Sequence, residues 1–490
     1  MQRAGTAAAT EIARRFPERV RSGVDVFTGP GNNGGDGWVV AAALSRDGAA
    51  VRVVEAGSPS AEKAPDAIAM RAAALDSVEI ARGSRGDAAL IVDALLGTGF
   101  AGEPRGQIAE AVASINERRA AGAVVAALDV PSGLDATSGA HTSCVVADLT
   151  ISFGGIKRGT LLARDCCGVI VAVDIGLDDP VPAPTSAQKA SVPPTLVDGD
   201  WVASRVPPIH YDAHKGTRKH LAIIGGGQGM PGAMVLATRG ALRSGIGLVR
   251  ALVHHDNIGP VLSAVPSALL SEWPSTPDDV RTEIADWADA IVLGPGLGSS
   301  DASRRLVEQV LRGAPRVPVL LDADALNMFE GAAKALGELL GGRPALITPH
   351  AAEFARLAGT DVKTVLASRF EIGLDLARRT RATVLLKGSP TVISTPTGDR
   401  LVVARGTAAL GTGGSGDLLD GIAGTILAQT GDPTTAAGCA AWIHGRAAEF
   451  CEYVRGTTLD DVVYALPRAW NEREPDAWPP VLAELPAVAR

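Results

Sequence analysis

The stretch Gly411-Thr412-Gly413-Gly414-Ser415-Gly416-Asp417-Leu418-Leu419 places four glycines in six residues ahead of an acid and an apolar run. Glycines let backbone N–H groups converge on one point, and a helix start adds partial positive charge. A loop feeding a helix there would cradle an oxyanion or a phosphate. Asp417 falls in the first turn of that helix, beside the anion. An acid is out of place where anions are only bound, but it suits a site that moves a proton to or from a reacting oxygen. Short Gly motifs recur by chance, and alone Asp417 would read more readily as an ordinary N-terminal helix acid. The other motifs reverse that reading.

Three further clusters follow predicted strands in the first half of the chain. Gly29-Pro30-Gly31-Asn32-Asn33-Gly34-Gly35-Asp36-Gly37 precedes a helix expected to start near Trp38 and offers a backbone-lined anion site with extra side-chain polarity. Val92-Asp93-Ala94-Leu95-Leu96-Gly97-Thr98-Gly99-Phe100 and Leu128-Asp129-Val130-Pro131-Ser132-Gly133-Leu134-Asp135 also sit at strand ends. One Asp at one strand end is usually a helix cap. Three such loops carrying Asn33, Asp93, Asp129 and Ser132 can converge, and oxygen-only ligands with one or two carboxylates suit a hard cation or a polar substrate.

The second half repeats the pattern. Gly225 to Ala233, Gly294-Pro295-Gly296-Leu297-Gly298, Asp322-Ala323-Asp324-Ala325-Leu326-Asn327, Thr348-Pro349-His350-Ala351-Ala352-Glu353 and Lys387-Gly388-Ser389-Pro390-Thr391 come in turn before the Asp417 motif. Together they describe a long groove lined for a nucleotide. Each residue also has a plainer role open to it. His350 after Thr-Pro could cap the next helix, Lys387 could be a solvated strand-end lysine, and Asp322 and Asp324 could be structural. His254-His255 is taken as structural, and the cysteines are given no function.

The elements that must hold these loops are short apolar runs alternating with Ala-rich helical stretches. Val24 to Thr28, Val51 to Glu55, Ala89 to Asp93, Val124 to Val130 and Leu149 to Phe153 read as strands of a largely parallel α/β sheet, whose ligands bind at the strands' carboxyl ends. With 490 residues the chain exceeds one core. Asp178 to Thr195 holds five prolines, so the domains are expected to run 1–185 and 201–490 about a linker at 186–200, the second opening at Trp201. A net charge of −8 without a basic block argues against nucleic acid as partner. Five cysteines without metal-type spacing argue against a zinc site or a disulfide framework and fit a cytoplasmic location. No apolar run approaches the roughly 20 residues of a membrane span, and Met1 to Arg15 reads as amphipathic helix.

The first-half motifs, with Phe153-Gly154-Gly155-Ile156-Lys157, appear in the order found in NAD(P)H-hydrate epimerases, which this half resembles over nearly its full length. The resemblance implies a Rossmann-like three-layer domain. In it the first loop (Asn32, Asn33, Gly34, Gly35, Asp36), with Gly97, Thr98 and Gly99, binds the substrate and its phosphate. It also implies that Asn33, Asp93 and Ser132 help bind K+, and that Asp129 lies against the hydrated nicotinamide ring as the acid–base group. The family has more helix ahead of the segment matching Met1-Gln2-Arg3-Ala4-Gly5, so this domain is expected to be N-terminally short.

From about Ala213 to His444 the chain resembles the ADP-dependent NAD(P)H-hydrate dehydratases, a ribokinase-like α/β family. Ala351-Ala352 stands where that family commonly has Pro-Gly. The resemblance implies ADP and Mg2+ as cofactors and Asp417 as the base. Gly413, Gly414, Ser415 and Gly416 would sit on the transferring phosphate, with Lys387, Gly388, Ser389, Pro390 and Thr391 on the adenine nucleotide. Ala233, Gly296 and His350 would line the hydrate pocket. The expected partners are NAD(P)H-hydrate and the nucleotide, within a homo-oligomer. A ribokinase-like small-molecule kinase with a non-catalytic N-terminal half, and a nucleotide sensor without turnover, are the alternatives.

Overall fold

The computed structural model describes residues 1–60, 62, 64–80, 88–177, 192–473 and 480–488. The chain forms two units, Met1–Pro180 with Pro475–Val488, and Val181–Glu474 with Ala489–Arg490.

In the first unit the strands are β1 (Val24–Thr28), β2 (Val51–Glu55), β3 (Glu79–Ile80), β4 (Leu90–Ala94), β5 (Val124–Leu128), β6 (Leu149–Phe153) and β7 (Val169–Val173). Side chains alternate along each strand. Val26, Val92, Leu128 and Ile151 therefore enter one apolar core, while Phe27, Ile91, Val125 and Ala127 enter a second. Helices cover both faces, which is why these strands read as continuous apolar runs.

The second unit contributes β8 (Thr195–Leu196), β9 (His220–Ile224), β10 (Leu248–Val253), β11 (Leu269–Glu272), β12 (Ala290–Leu293), β13 (Val319–Leu321), β14 (Ala345–Ile347), β15 (Thr383–Leu386), β16 (Thr391–Ser394) and β17 (Arg400–Val403). The last strand, β18 (Val481–Leu485), returns to the first unit.

The first sheet has the order β18-β7-β6-β5-β4-β1-β2-β3 and the second β11-β10-β9-β12-β13-β14-β15-β16-β17-β8. All pairs from β3 to β7 and from β11 to β15 are parallel. The motif-bearing loops therefore leave one edge of each sheet.

Two expected domain boundaries move. The Pro-rich stretch up to residue 191, with residues 186–191 of the 186–200 linker, lies outside the described residues. Beyond it, Thr195 and Leu196 already pair with β17, and Asp198 caps the helix Gly199–Ala203, so the second unit begins before Trp201. At the other end, the residues expected in the second domain include β18, which pairs antiparallel with β7 and covers that edge of the first sheet. Unpaired edge strands are a liability, and a short apolar segment such as Val481–Leu485 can close one from any distance along the chain.

The helix expected near Trp38 starts at Asn32 and runs to Arg46. Its glycines are there for packing. A Cβ on Gly34 would lie 2.0 Å from the Gly29 carbonyl oxygen, and one on Gly37 would lie 2.5 Å from the Ala94 Cβ. The Asn-Gly stretch is thus the first two turns of a helix pressed onto β1 and β4.

Candidate active sites

In the first unit Asn33, Asp93, Asp129 and Ser132 meet at the carboxyl ends of β1, β4 and β5, three adjacent strands. Asp93 lies inside β4 and is fully buried. Its carboxylate accepts from the Ser132 hydroxyl at 2.6 Å and from the amides of Ser132 and Leu95 at 2.8 and 3.2 Å. Burial nevertheless pushes its pKa up to about 6, because no cation faces it among the described residues. Asn33 donates to the carbonyls of Leu96 and Leu128 at 2.7 and 3.2 Å, which leaves its buried Oδ1 without a partner. A buried carboxylate lacking a counter-ion beside an orphaned amide oxygen is the donor set a hard monovalent cation satisfies.

Asp129 follows β5 at φ 65°, a left-handed conformation that β-carbon sterics disfavour. That turn aims its Oδ1 at the Lys157 ammonium, 2.5 Å away. Its Oδ2 has no partner among the described residues and faces the space left by Gly97, where a Cβ would come within 3.8 Å of it. Asp36 is buried with one oxygen unpartnered. Burial, with the Asp129 charge adding to it and the Met1 amino group opposing, raises Asp36 to about 7. Thr98 and Gly99 are exposed at the rim, as is Asn32 at the helix start. Gly34 and Gly35 lie beneath and can offer a ligand no more than first-turn backbone. The Gly35 N–H already donates to Gly31 at 3.3 Å. Lys157 closes the Phe153 motif, but its partnership with Asp129 appears only when β6 sets it beside β5.

In the second unit the loops after β9, β12, β13, β14 and β15 stand side by side. The helix Ser415–Thr430 begins above them, with Gly414 at φ 91° as its cap residue. It crosses the helix Pro231–Arg243 at backbone contact. A Cβ on Gly421 would lie 1.9 Å from the Ala237 oxygen, and one on Gly240 would lie 2.5 Å from the Leu418 oxygen. This crossing fixes where the first-turn N–H groups point.

Beneath Gly416, where a Cβ would meet Lys387 Nζ at 3.3 Å, Lys387 bonds both oxygens of Asp322 at 2.8 Å. Glu353 Oε2 lies 3.7 Å from the same nitrogen. Burial alone would lower the lysine, but the charges of Asp322, Glu353 and Asp420 outweigh it and raise its pKa. Asp417 sits in the first helical turn. Burial and then the Asp322 charge raise it to about 6, with Lys387 pulling the other way. Asp420, one turn further in, accepts from the Thr348 hydroxyl at 3.2 Å, and burial followed by the Asp322 charge pushes its carboxyl well above the usual carboxylate range. His444 is buried with Nε2 unpartnered, and burial followed by the Lys387 charge lowers it to about 4.

Asp420 and His444 had no assigned role in the sequence. The one signal for Asp420 is that it breaks an otherwise apolar helix face. Even without Asp420, the carboxyls of Asp322, Glu353 and Asp417 around one ammonium leave spare negative charge, which suits a divalent cation.

His350 caps the helix Ala351–Ala358: its Nδ1 accepts from Ala352 and Glu353, and Glu353 bonds back in a capping box. Two incoming N–H bonds place the ring proton on Nε2, which lies 3.4 Å from Glu353 Oε1. The capping role weighed for it is thus present. Ala233 and Gly296 face each other, since a Cβ on Gly296 would lie 2.9 Å from the Ala233 Cβ.

Lys387 to Pro390 form the β15–β16 turn. Gly388, at φ 149°, abuts the Arg369 guanidinium, and Thr391 donates back to the Gly388 oxygen at 3.0 Å. Asp324 accepts from the Gly298 amide at 2.7 Å. His254 and His255, read as structural, have ring centroids 4.2 Å apart and both reach Asp256. No helix among the described residues is long and apolar enough to cross a membrane.

A family model described as NAD(P)H-hydrate dehydratase matches residues 221–468, and one described as YjeF-related protein N-terminus matches residues 1–159. The bifunctional NAD(P)H-hydrate repair enzyme Nnr of Escherichia coli (strain K12) is 36% identical, over 97% of this chain and 90% of that protein. Its counterpart in Hyperthermus butylicus is 34% identical over 96% and 88%. Among solved structures, the ADP/ATP-dependent NAD(P)H-hydrate dehydratase from Bacillus subtilis, co-crystallised with ATP and Mg2+, is similar with a TM-score of 0.50 and 29% identity. It covers 56% of this chain and 97% of that chain.

Proposed function

We propose how each unit works from the premise that this chain belongs to the bifunctional NAD(P)H-hydrate repair enzymes. The protein epimerises R and S NAD(P)H-hydrate and dehydrates the S form to NAD(P)H at the expense of a nucleotide. The observation that carries the second activity is a carboxyl raised to about 6 in the first turn of a helix whose N–H groups open over a half-buried lysine.

A hydroxide at C6 of the hydrated ring leaves poorly at neutral pH. Asp417 accepts the proton of that hydroxyl, whose oxygen attacks the terminal phosphorus of ADP and releases AMP. The first-turn amides of the Gly413–Gly416 motif hold the charge on the transferring phosphoryl group. The C6–O bond then breaks, phosphate departs as the ring nitrogen's electrons assist, and loss of a C5 proton restores the double bond. Bound Mg2+, held by Asp322 and Glu353 with the nucleotide, would neutralise charge between the phosphates. Lys387 to Thr391 hold the adenine nucleotide, and Ala233, Gly296 and His350 line the hydrate pocket.

In the first unit Asp129, oriented by Lys157, exchanges the proton needed to invert C6. Asn32, Asn33, Gly34, Gly35 and Asp36 meet the substrate and its phosphate with Gly97, Thr98 and Gly99. Asn33, Asp93 and Ser132 would hold K+, which compensates the buried Asp93 charge. A cytoplasmic homo-oligomer completes the reading.

The test is to incubate the full chain with mixed R and S NADH-hydrate, ADP, Mg2+ and K+ and to follow the reduced-nicotinamide absorbance. Complete recovery, faster than spontaneous epimerisation allows, supports both activities. Recovery of the S share alone overturns the role given to the first unit. No ADP-dependent recovery, or a stable phosphorylated product, overturns the dehydratase reading.

A further inference from the structure

Away from Asp129 and Asp417, the fold gathers His141, Cys144 and Cys166, with their ligand-type atoms all within 4.8 Å of one another. Cys144 Sγ lies 3.3 Å from Cys166 Sγ, and Cys166 Sγ lies 3.5 Å from His141 Nε2. Three features distinguish this from two thiols that merely pack. First, His141 Nδ1 lies 2.9 Å from the Gly139 carbonyl oxygen. A carbonyl can only accept, so Nδ1 carries the proton and the Nε2 lone pair faces the sulfur. Proteins orient metal-ligating imidazoles in this way. Second, the backbone is already pinned. Asn116 donates to the Cys144 carbonyl at 2.8 Å and accepts from the Val146 amide at 2.9 Å, and the Cys166 carbonyl accepts from the Ala147 amide at 2.9 Å. Third, Cys167 turns away, its thiol 3.2 Å from the Ala163 carbonyl oxygen, so the adjacent pair is divided between a structural thiol and a ligand-facing one.

We propose that His141, Cys144 and Cys166 bind a zinc-class cation, with solvent in the fourth position on the exposed His141 side. Tetrahedral zinc at its usual bond lengths sets two sulfurs about 3.8 Å apart and sulfur and nitrogen about 3.6 Å apart. Binding therefore asks the two cysteine sulfurs to part by only about 0.5 Å. Each thiol releases one proton to solvent as its metal–sulfur bond forms, and no electron moves. Without the cation, contact with the Cys166 sulfur and then burial hold the Cys144 thiol well above its usual range.

The consequence lies in the β5–β6 loop. Val145 N–H donates to the Ser132 carbonyl at 2.9 Å, and a Cβ on Gly133 would lie 2.3 Å from the Ser143 oxygen. A cation on Cys144 would brace the far side of the loop that carries Asp129 and Ser132. The proposal is independent of the reaction assigned to that loop.

The test titrates the reduced, chelator-treated full chain with Co2+. One equivalent is expected to give a thiolate-to-cobalt charge-transfer band that Zn2+ displaces. C144S and C166S are expected to lose the band. H141A, on the exposed side, is expected to weaken binding by at least the roughly 10-fold that even an outer-shell loss costs. The H254A/H255A double variant, which removes the other His cluster, is expected to keep the band. Zn2+ should raise the melting temperature of the wild-type chain and not that of C166S; if a serine variant fails to fold, H141A decides. Absence of a thiolate band, its persistence in C166S, binding unchanged in H141A, or its loss in H254A/H255A would each overturn the proposal.

Discussion

Replacing Asp417 with Asn is expected to abolish turnover and to stabilise the fold. Burial, and then the Asp322 charge, hold the Asp417 carboxyl at about 6 instead of its ordinary 3.8. That difference is a penalty of about 3 kcal/mol on the ionised form. The folded chain binds this proton more tightly than the unfolded chain. The penalty is therefore absent below pH 3.8, grows as pH rises, and is complete above a pH of about 6. An amide does not ionise and escapes it, but forfeits about 0.5 kcal/mol of attraction between a carboxylate and the helix start. The burial penalty is larger, so D417N should gain about 2 kcal/mol near neutral pH, on the order of 5 °C in melting temperature. The gain should shrink toward nothing near about pH 4.

Activity moves the other way. Loss of a general base costs about 10²–10⁴-fold, and the wild-type rate should itself fall as pH drops through about 6. Scanning fluorimetry of both proteins across this range, beside the ADP-dependent recovery of reduced nicotinamide, checks both halves. A D417N chain that melts no higher than wild type near neutral pH, or that turns over within about 10-fold of it, refutes the reasoning.

Lys387→Met leaves the buried Asp322 and Glu353 without their cation, so it should cost about 3–5 kcal/mol in denaturant unfolding and weaken ADP in calorimetry. Asp129→Asn should slow conversion of the R epimer by about 10²–10⁴-fold while leaving dehydration of the S form unchanged, as read by single-epimer assays. Gly37→Ala drives a Cβ to within 2.5 Å of the Ala94 Cβ. It should cost about 1–3 kcal/mol of thermal stability, and adding Ala94→Gly should recover most of that.

The amino-acid order by itself determined the strands, the motif at each strand's carboxyl end, and the parallel α/β class, because period and turn chemistry are local. It also carried the family, since Asp129 and Asp417 keep their motifs around them. Tertiary structure decided everything that depends on neighbours along a sheet edge. Lys387 meets Asp322 because β13, β14 and β15 lie side by side, although 65 residues separate the two side chains in the chain. Lys157 meets Asp129 by the same route through β5 and β6. Asn32 to Gly37 look like a loop in the sequence, since glycine disfavours helix. They are helical because only residues without a β-carbon let that helix press onto β1 and β4. β18 closes the first sheet from the far end of the chain, and Cys144 reaches Cys166 across β6 and the helix Arg158–Leu162. No spacing rule reports such contacts, because they are made by the packed fold and not by the local chain.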